Sequence, residues 1–345
     1  MNESFVSFCG TVIERYDSTE SLPPHSKMDP KLLHGQIHVT ITAKTPIMIS
    51  DGTPKNEGGV SVSRFSRDGR NCFRIPGSSL RGLIRQNMQI LGLGSVTVQR
   101  GGDISEERVS GNREPKLGID AVHSKNLIDY PRSIMGFVMQ EKVANTAKHI
   151  TKCYRSRISV GDLLAQDSPR ELPTVLMQQY QPKQSDPKFI VERGSRFSLK
   201  GFRQYPPRPI RSDSPEATQG FRPLPAGTRF TGVIRYRNLH ADELGLLLWC
   251  LRLEPGCTHA MGMGKGSGYG QVTITIDSLT EFVPNSLYAD LTSTGTHTPD
   301  PAKRIEDLIQ TYRHKASTLG LKGQDPGQMP HIRTFLALRK TTLRR

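Results

Sequence analysis

From Gly262 to Gly270 every second residue is glycine, in the run His259-Ala260-Met261-Gly262-Met263-Gly264-Lys265-Gly266-Ser267-Gly268-Tyr269-Gly270. Glycine permits φ > 0 and close backbone approach, so such a run is a loop that can aim N–H groups at an anion. A helical pattern precedes it, Ala241–Arg252, with Asp242-Glu243 at its start and Leu244, Leu247, Leu248 and Leu251 on one face. An alternating strand, Gln271–Ile276, follows it. Two phosphate-loop motifs fail here. A P-loop needs glycine six residues before the lysine and Ser or Thr after it, and those places hold His259 and Gly266. The dinucleotide pattern G-x-G-x-x-G fails in every register, and it would have to follow a strand and open a helix. The plain alternative is a tight surface turn, which leaves Lys265 among the glycines unexplained.

A second element reads Arg74-Ile75-Pro76-Gly77-Ser78-Ser79-Leu80-Arg81-Gly82-Leu83-Ile84-Arg85. Pro-Gly ends a strand and Ser78 or Ser79 caps a helix. Leu80, Leu83, Ile84 and Leu91 share one face, and Arg81 and Arg85 lie i,i+4 on another. Unpaired N–H groups, two hydroxyls and Arg81 make this helix start an anion site, unless it is an ordinary N-cap.

The remaining pattern orders these parts. Ile37, Val39 and Ile41 alternate with His38, Thr40 and Thr42 as a half-buried strand, and Arg229–Arg237 is another. Residues 95–225 lack clean periodicity and read as a large insertion with hairpins and loops. It includes the polar run Gln99–Lys116 and a basic strand Cys153–Val160 with Arg155 and Arg157 on one face. Strand, helix, insertion, strand, helix, glycine loop, strand is a split β-α-β order. The fold class is therefore α+β, ferredoxin-like in outline, with the insertion where the inner hairpin belongs. Residues 1–34 read as an N-terminal arm, 35–277 as the core domain, and 278–345 as a basic C-terminal extension with a helix at Pro301–Lys315.

Charge names the class of partner. Lys plus Arg is 47 against 32 Asp plus Glu in 345 residues, a net +15. Nucleic acid fits such an excess first, an acidic membrane surface second, and solubility alone is the plain alternative. The longest apolar stretch, Leu246–Leu251, is too short to span a bilayer. The start Met1-Asn2-Glu3-Ser4 lacks the pattern of a secretory signal. Five scattered cysteines fit reduced thiols. A cytoplasmic protein is expected, with no membrane partner.

At its two glycine elements the chain resembles the RAMP superfamily of CRISPR effector proteins, in the backbone-subunit type of type III-like complexes. The matching residues are Ile75–Arg85 and Met261–Gly270, joined by Pro131–Phe137 with Tyr154–Ile158, and by Pro225–Gly232 through Asn238-Leu239 and Glu243–Gly245. The resemblance implies a modified RRM core with thumb and lid regions that polymerises along a guide crRNA and presents it to target RNA. Its partners would be crRNA, target RNA, further copies of itself and other effector subunits, with a separate nuclease among them. Ser78, Ser79, Arg81, Arg85, Arg155, Arg157, Gly262, Met263, Gly264, Lys265, Gly266 and Ser267 are the expected RNA-binding residues. No run of the ordinary RRM aromatic type is present, so backbone contact without base stacking is expected.

The resemblance also implies a place for catalysis, since many type III backbone subunits use an aspartate in the loop between the first strand and the Pro-Gly-Ser-Ser helix. The matching place, Gly59-Val60-Ser61-Val62, has no carboxylate. Asp51 and Asp68 flank it as weak catalytic candidates, and each also reads as a turn residue. The absent aspartate points to a type III-D-like or type VII-like binding subunit. The alternatives are a target-RNA endonuclease using Asp51 or Asp68, and a precursor-RNA endonuclease using His34 or His38 as general base. No cofactor is expected. Zinc would have to start from His149 and Cys153, which lack two further ligands.

Overall fold

A computed structural model describes residues 4–7, 11–94, 128–142, 149–177, 190–193, 196–199, 201–210, 217–283 and 294–340. The polar run 99–116 and the last five residues lie outside them.

The central sheet is built from β1 (Leu33–Ala43), β2 (Arg74–Ile75), β3 (Ile158–Val160), β4 (Leu163–Ala165), β5 (Arg229–Leu239), β6 (His259–Ala260) and β7 (Gln271–Phe282), with the two-residue strand Thr296–His297 antiparallel to the end of β7. Its order is β6-β7-β1-β5-β4-β2, with β3 also on β5, and every pairing is antiparallel. The long strands β7, β1 and β5 lie side by side, and β3 and β4 supply the second strand of the inner hairpin beyond β5. First and last strands meet in the middle, as the split β-α-β order requires. The ferredoxin-like α+β reading therefore holds.

Period two in the sequence becomes two faces. Ile37, Val39, Ile41 and Ala43 are buried under the helices, while Gln36, His38, Thr40 and Thr42 point the other way. Helix α1 (Gly77–Leu91) buries Leu80, Leu83, Ile84, Met88 and Leu91 at helical spacing. Helix α3 (Ala241–Arg252) is different, because ten of its twelve residues are buried and it therefore has no solvent face. Helix α4 (Pro301–Gly320) covers its outer side with Ile305, Leu308, Ile309 and Tyr312. Tyr312 reaches past α3 to donate to the Leu91 carbonyl (2.7 Å). Helix α5 (Pro330–Arg339) packs on the strand Ser4–Ser7. The C-terminal helices thus close the core.

The insertion carries the hairpin Phe137–Lys142 with His149–Tyr154, and a second hairpin, Ile190–Arg193 with Arg196–Leu199. The expected single strand Cys153–Val160 is divided. Residues up to Tyr154 belong to the hairpin, and β3 begins at Ile158. Ser156 makes the break, its hydroxyl bonding the Ile158 carbonyl at 2.8 Å.

Candidate functional site

The glycine loop joins β6 to β7 at one edge of the sheet. Its base is closed by Met261 N–H to Gly270 O (2.9 Å), and it is pinned to the segment after β1 by Gly270 N–H to Pro46 O (2.9 Å) and Met263 N–H to Met48 O (2.8 Å). Gly262 (φ 84°) and Gly270 (φ 70°) are required there, since a Cβ would lie 2.1 Å from Met48 O or 2.0 Å from Met261 O. At the tip, Gly264 is left-handed (φ 70°, ψ 11°) and runs into a right-handed 3-10 turn, Lys265–Ser267, closed by Ser267 N–H to Gly264 O (2.8 Å). A left-handed residue followed by a right-handed one turns successive N–H groups into one concavity, an anion nest. Those groups belong to Gly264, Lys265 and Gly266, and none has an acceptor among the described residues.

Lys265 stands beside this nest. Its ammonium lies 5.5 Å from the centre of the Tyr205 ring and has no carboxylate partner among the described residues. Burial pushes its pKa down, and the charge of Arg339 pushes it further. Arg208 donates to Gly266 O (3.1 Å) and adds a further positive charge. Tyr205, Arg208 and Arg339 were not found by sequence reasoning. They come from the insertion and from the last helix, and nothing in their local pattern links them to the loop.

The start of α1 differs from expectation. The N-cap is Pro76 and the helix begins at Gly77, so Ser78 and Ser79 lie in the first turn and cap nothing. The Gly77 N–H donates to Asp162 Oδ1 (2.8 Å), whose other oxygen accepts from Arg74 (2.7 Å). A carboxylate of the chain itself thus fills the helix start. Gly77 is needed for close packing, because a Cβ would lie 2.2 Å from Val160 O. Arg81 and Arg85 are exposed one turn apart, and Arg81 donates to Met135 O (2.8 Å) at the end of α2 (Tyr130–Met135). The α1 start follows β2, four strand spacings from β7, or roughly 19 Å. One phosphate cannot touch both glycine elements, but an extended strand of several nucleotides can.

Arg155 and Arg157 do not share a face. Arg155 is exposed, whereas Arg157 is 3% exposed. Arg157 forms a two-pronged ion pair with Glu243, one contact at 2.7 Å, and donates through Nε to Ser133 O (2.9 Å). Glu243 also accepts from Ser133 Oγ (2.9 Å), from Tyr16 OH (3.1 Å) and from the His240 N–H (2.9 Å). Burial pushes Glu243 upward, but the charge and hydrogen bonds of Arg157 together with the His240 N–H and ring hold the carboxyl below its usual range. Arg157 is therefore a core residue that joins insertion, arm and α3. Placing it on an RNA-facing strand is corrected by its burial.

The catalytic candidates act on their own backbone. Asp51 Oδ1 accepts from Thr53 N–H (2.9 Å), and Asp68 Oδ1 accepts from Arg70 N–H (2.9 Å) and Cys72 N–H (2.8 Å) in a tight hairpin turn. His34 is buried between Asp29 O and the Asn238 N–H, and His38 is half-buried on the open sheet face. Cys153 is exposed, and the His149 side chain lies outside the description. Among the described residues no three His, Cys, Asp or Glu side chains come together as metal ligands, and no helix is long and apolar enough to cross a membrane.

The open face of the sheet is polar. Cross-strand rows read Arg229–Thr42–Thr273, Thr231–Thr40–Thr275, Val233–His38–Ser278 and Arg235–Gln36–Thr280. None of these twelve is Phe, Tyr or Trp, and His38 is the one ring among them; hydroxyls, amides and guanidinium groups suit phosphate and ribose, although the Asp277 carboxylate accepts from Thr40 Oγ1 (2.7 Å) on the same strands. Arg229 and Arg235 alternating with Phe230, Ile234 and Tyr236 carried this signal in the sequence.

Comparison with known proteins gives two findings. A family model described as the RAMP superfamily matches residues 40–273. Among solved structures, a chain of a "Type IV-B CRISPR Complex" is similar at 18% identity, with 70% of this chain and 89% of that chain covered and a TM-score of 0.35. No curated protein matches at a significant level.

Proposed function

From the premise that this chain belongs to the RAMP superfamily, we propose that it is a guide-RNA-binding subunit of a CRISPR effector complex. It holds the guide by its phosphates, repeats along it and presents it to target RNA beside other subunits. The single observation that supports this best is the nest at Gly264–Gly266 with Lys265 beside it, an anion site without an anion of the chain's own among the described residues. The largely polar sheet face and the exposed Arg81, Arg85 and Arg155 extend the same chemistry. Phosphate contacts carry no base identity, which suits a guide whose sequence varies.

The test is RNA binding by the purified protein over a range of salt. Lys265→Ala and Arg81→Ala are each expected to weaken binding equally for unrelated guide sequences and to reduce the salt slope by about one unit. A loss confined to one guide sequence sinks the reading. Cleavage of paired target abolished by Asp51→Asn or Asp68→Asn would replace it with a nuclease.

A further inference from the structure

Behind the glycine loop lies a buried cluster of hydrogen-bond donors. Arg339, the last residue of α5, is 3% exposed. It donates to Gln204 Oε1 and to Tyr205 O (3.3 Å), both neutral, and no carboxylate faces it among the described residues. Gln204 is fully buried, and its Nε2 has no partner among the described residues. The arginine fixes that amide, because a flipped Gln204 would set donor against donor. Gln271, at the base of the glycine loop, accepts from Thr258 Oγ1 (3.2 Å), and its buried Nε2 also has no partner among the described residues. Lys265 closes the group over the Tyr205 ring. Neighbouring His259 adds no charge at neutral pH, since burial lowers its pKa to about 4. Two cations thus meet at Tyr205, two buried amide nitrogens behind the loop go unpartnered, and neither cation has a carboxylate partner among the described residues. A buried uncompensated cation is expensive, and a guanidinium is shaped for a planar or tetrahedral oxyanion.

We propose that Arg339, Gln204 and Lys265 take up one phosphoryl oxyanion between them, which makes the C-terminal helix α5 part of the binding site. The inference rests on the guide-binding reading only for the polymer that delivers the phosphate.

Thermal unfolding of the full chain in inorganic phosphate, against chloride at equal ionic strength, tests it directly. Phosphate is expected to raise the wild-type Tm saturably. Arg339→Met should abolish that rise, read as the shift from the variant's own Tm in chloride, which loss of the bonds to Gln204 and Tyr205 is expected to lower. Lys265→Gln, at a half-exposed position, should weaken the apparent phosphate affinity several-fold and guards against a folding defect in the first variant. No phosphate effect on the wild type, or one retained in both variants, overturns the proposal.

Oligoribonucleotides with and without a 5′-phosphate separate the two sources. An Arg339→Met loss confined to the phosphorylated strand assigns the site to a chain end, and an equal loss assigns it to a backbone phosphate. RNA binding with inert phosphate would sink this inference alone, and a phosphate effect without RNA binding would sink the guide-binding reading alone.

Discussion

Single residues here show how burial decides between a functional and a structural role. Arg157 and Lys265 are both basic residues in polar-looking runs, and sequence gave no reason to separate them. One meets Glu243 in the core, and the other meets no carboxylate among the described residues. His259 carries the residue-scale prediction. Its Nε2 bonds Leu251 O (2.8 Å), so Nε2 holds the proton and Nδ1 accepts from Asn87 Nδ2 (3.3 Å). Burial is the main cause that lowers its pKa from 6.5 to about 4. Between these values the unfolded chain binds a proton that the folded chain refuses, so stability rises with pH across the window. The contribution is complete above pH 6.5 and lost as pH falls to about 4. Its upper size is roughly 3 kcal/mol. Urea unfolding at pH 5 and pH 7.5 should show the slope, and His259→Gln should flatten it. An unchanged slope in the variant would assign the dependence elsewhere.

Elements were legible where periodicity was strong. The helix Ala241–Arg252 and the alternating strands stood out because one buried face imposes one period. Short strands such as Leu163–Ala165, and the cap at Pro76, were not, because partners far along the chain set them. Asp162, for example, takes the place at Gly77 that Ser78 was expected to fill. Two helix glycines make the contrast measurable. At Gly245, on α3, a Cβ would lie 2.0 Å from Leu308 O of α4. At Gly82, on α1, a Cβ would meet nothing within 4 Å. Alanine improves helix propensity by about 1 kcal/mol at either place. Gly82→Ala should therefore gain up to about that much in urea unfolding. Gly245→Ala should lose net stability, by about 1–3 kcal/mol, because forcing apart two packed helices outweighs propensity. Equal effects at the two sites would refute the close α3–α4 contact.

At the scale of the whole molecule, the C-terminal extension is where local reading fell short. Its helix was visible in the sequence, but its place was not, since an amphipathic pattern names a buried face without naming what buries it. The hint lay elsewhere, in the unbroken apolar run Leu246–Leu251 of α3. A helix apolar all round needs cover on every side, and α4 supplies the outer cover through Leu308, Ile309 and Tyr312, beyond the family match that ends at residue 273. Tyr312 lies 5.9 Å from Trp249, ring to ring, and Tyr130 packs edge-on against Tyr312 at 5.3 Å, so α4 also holds α2 of the insertion. Ending the chain before Asp300 would bare the α3 face that carries Gly245 and Trp249. Fragment 1–299 is expected to bind a hydrophobic dye, to lose near-ultraviolet dichroism and to unfold without a sharp transition. A fragment that melts cooperatively at the full-length Tm would show that the RAMP core stands alone and that α4 is only an attachment. The same cut removes Arg339. A folded fragment with unchanged guide affinity would therefore also weigh against α5 as a wall of the anion site, whereas a fragment that fails to fold leaves that role to Arg339→Met.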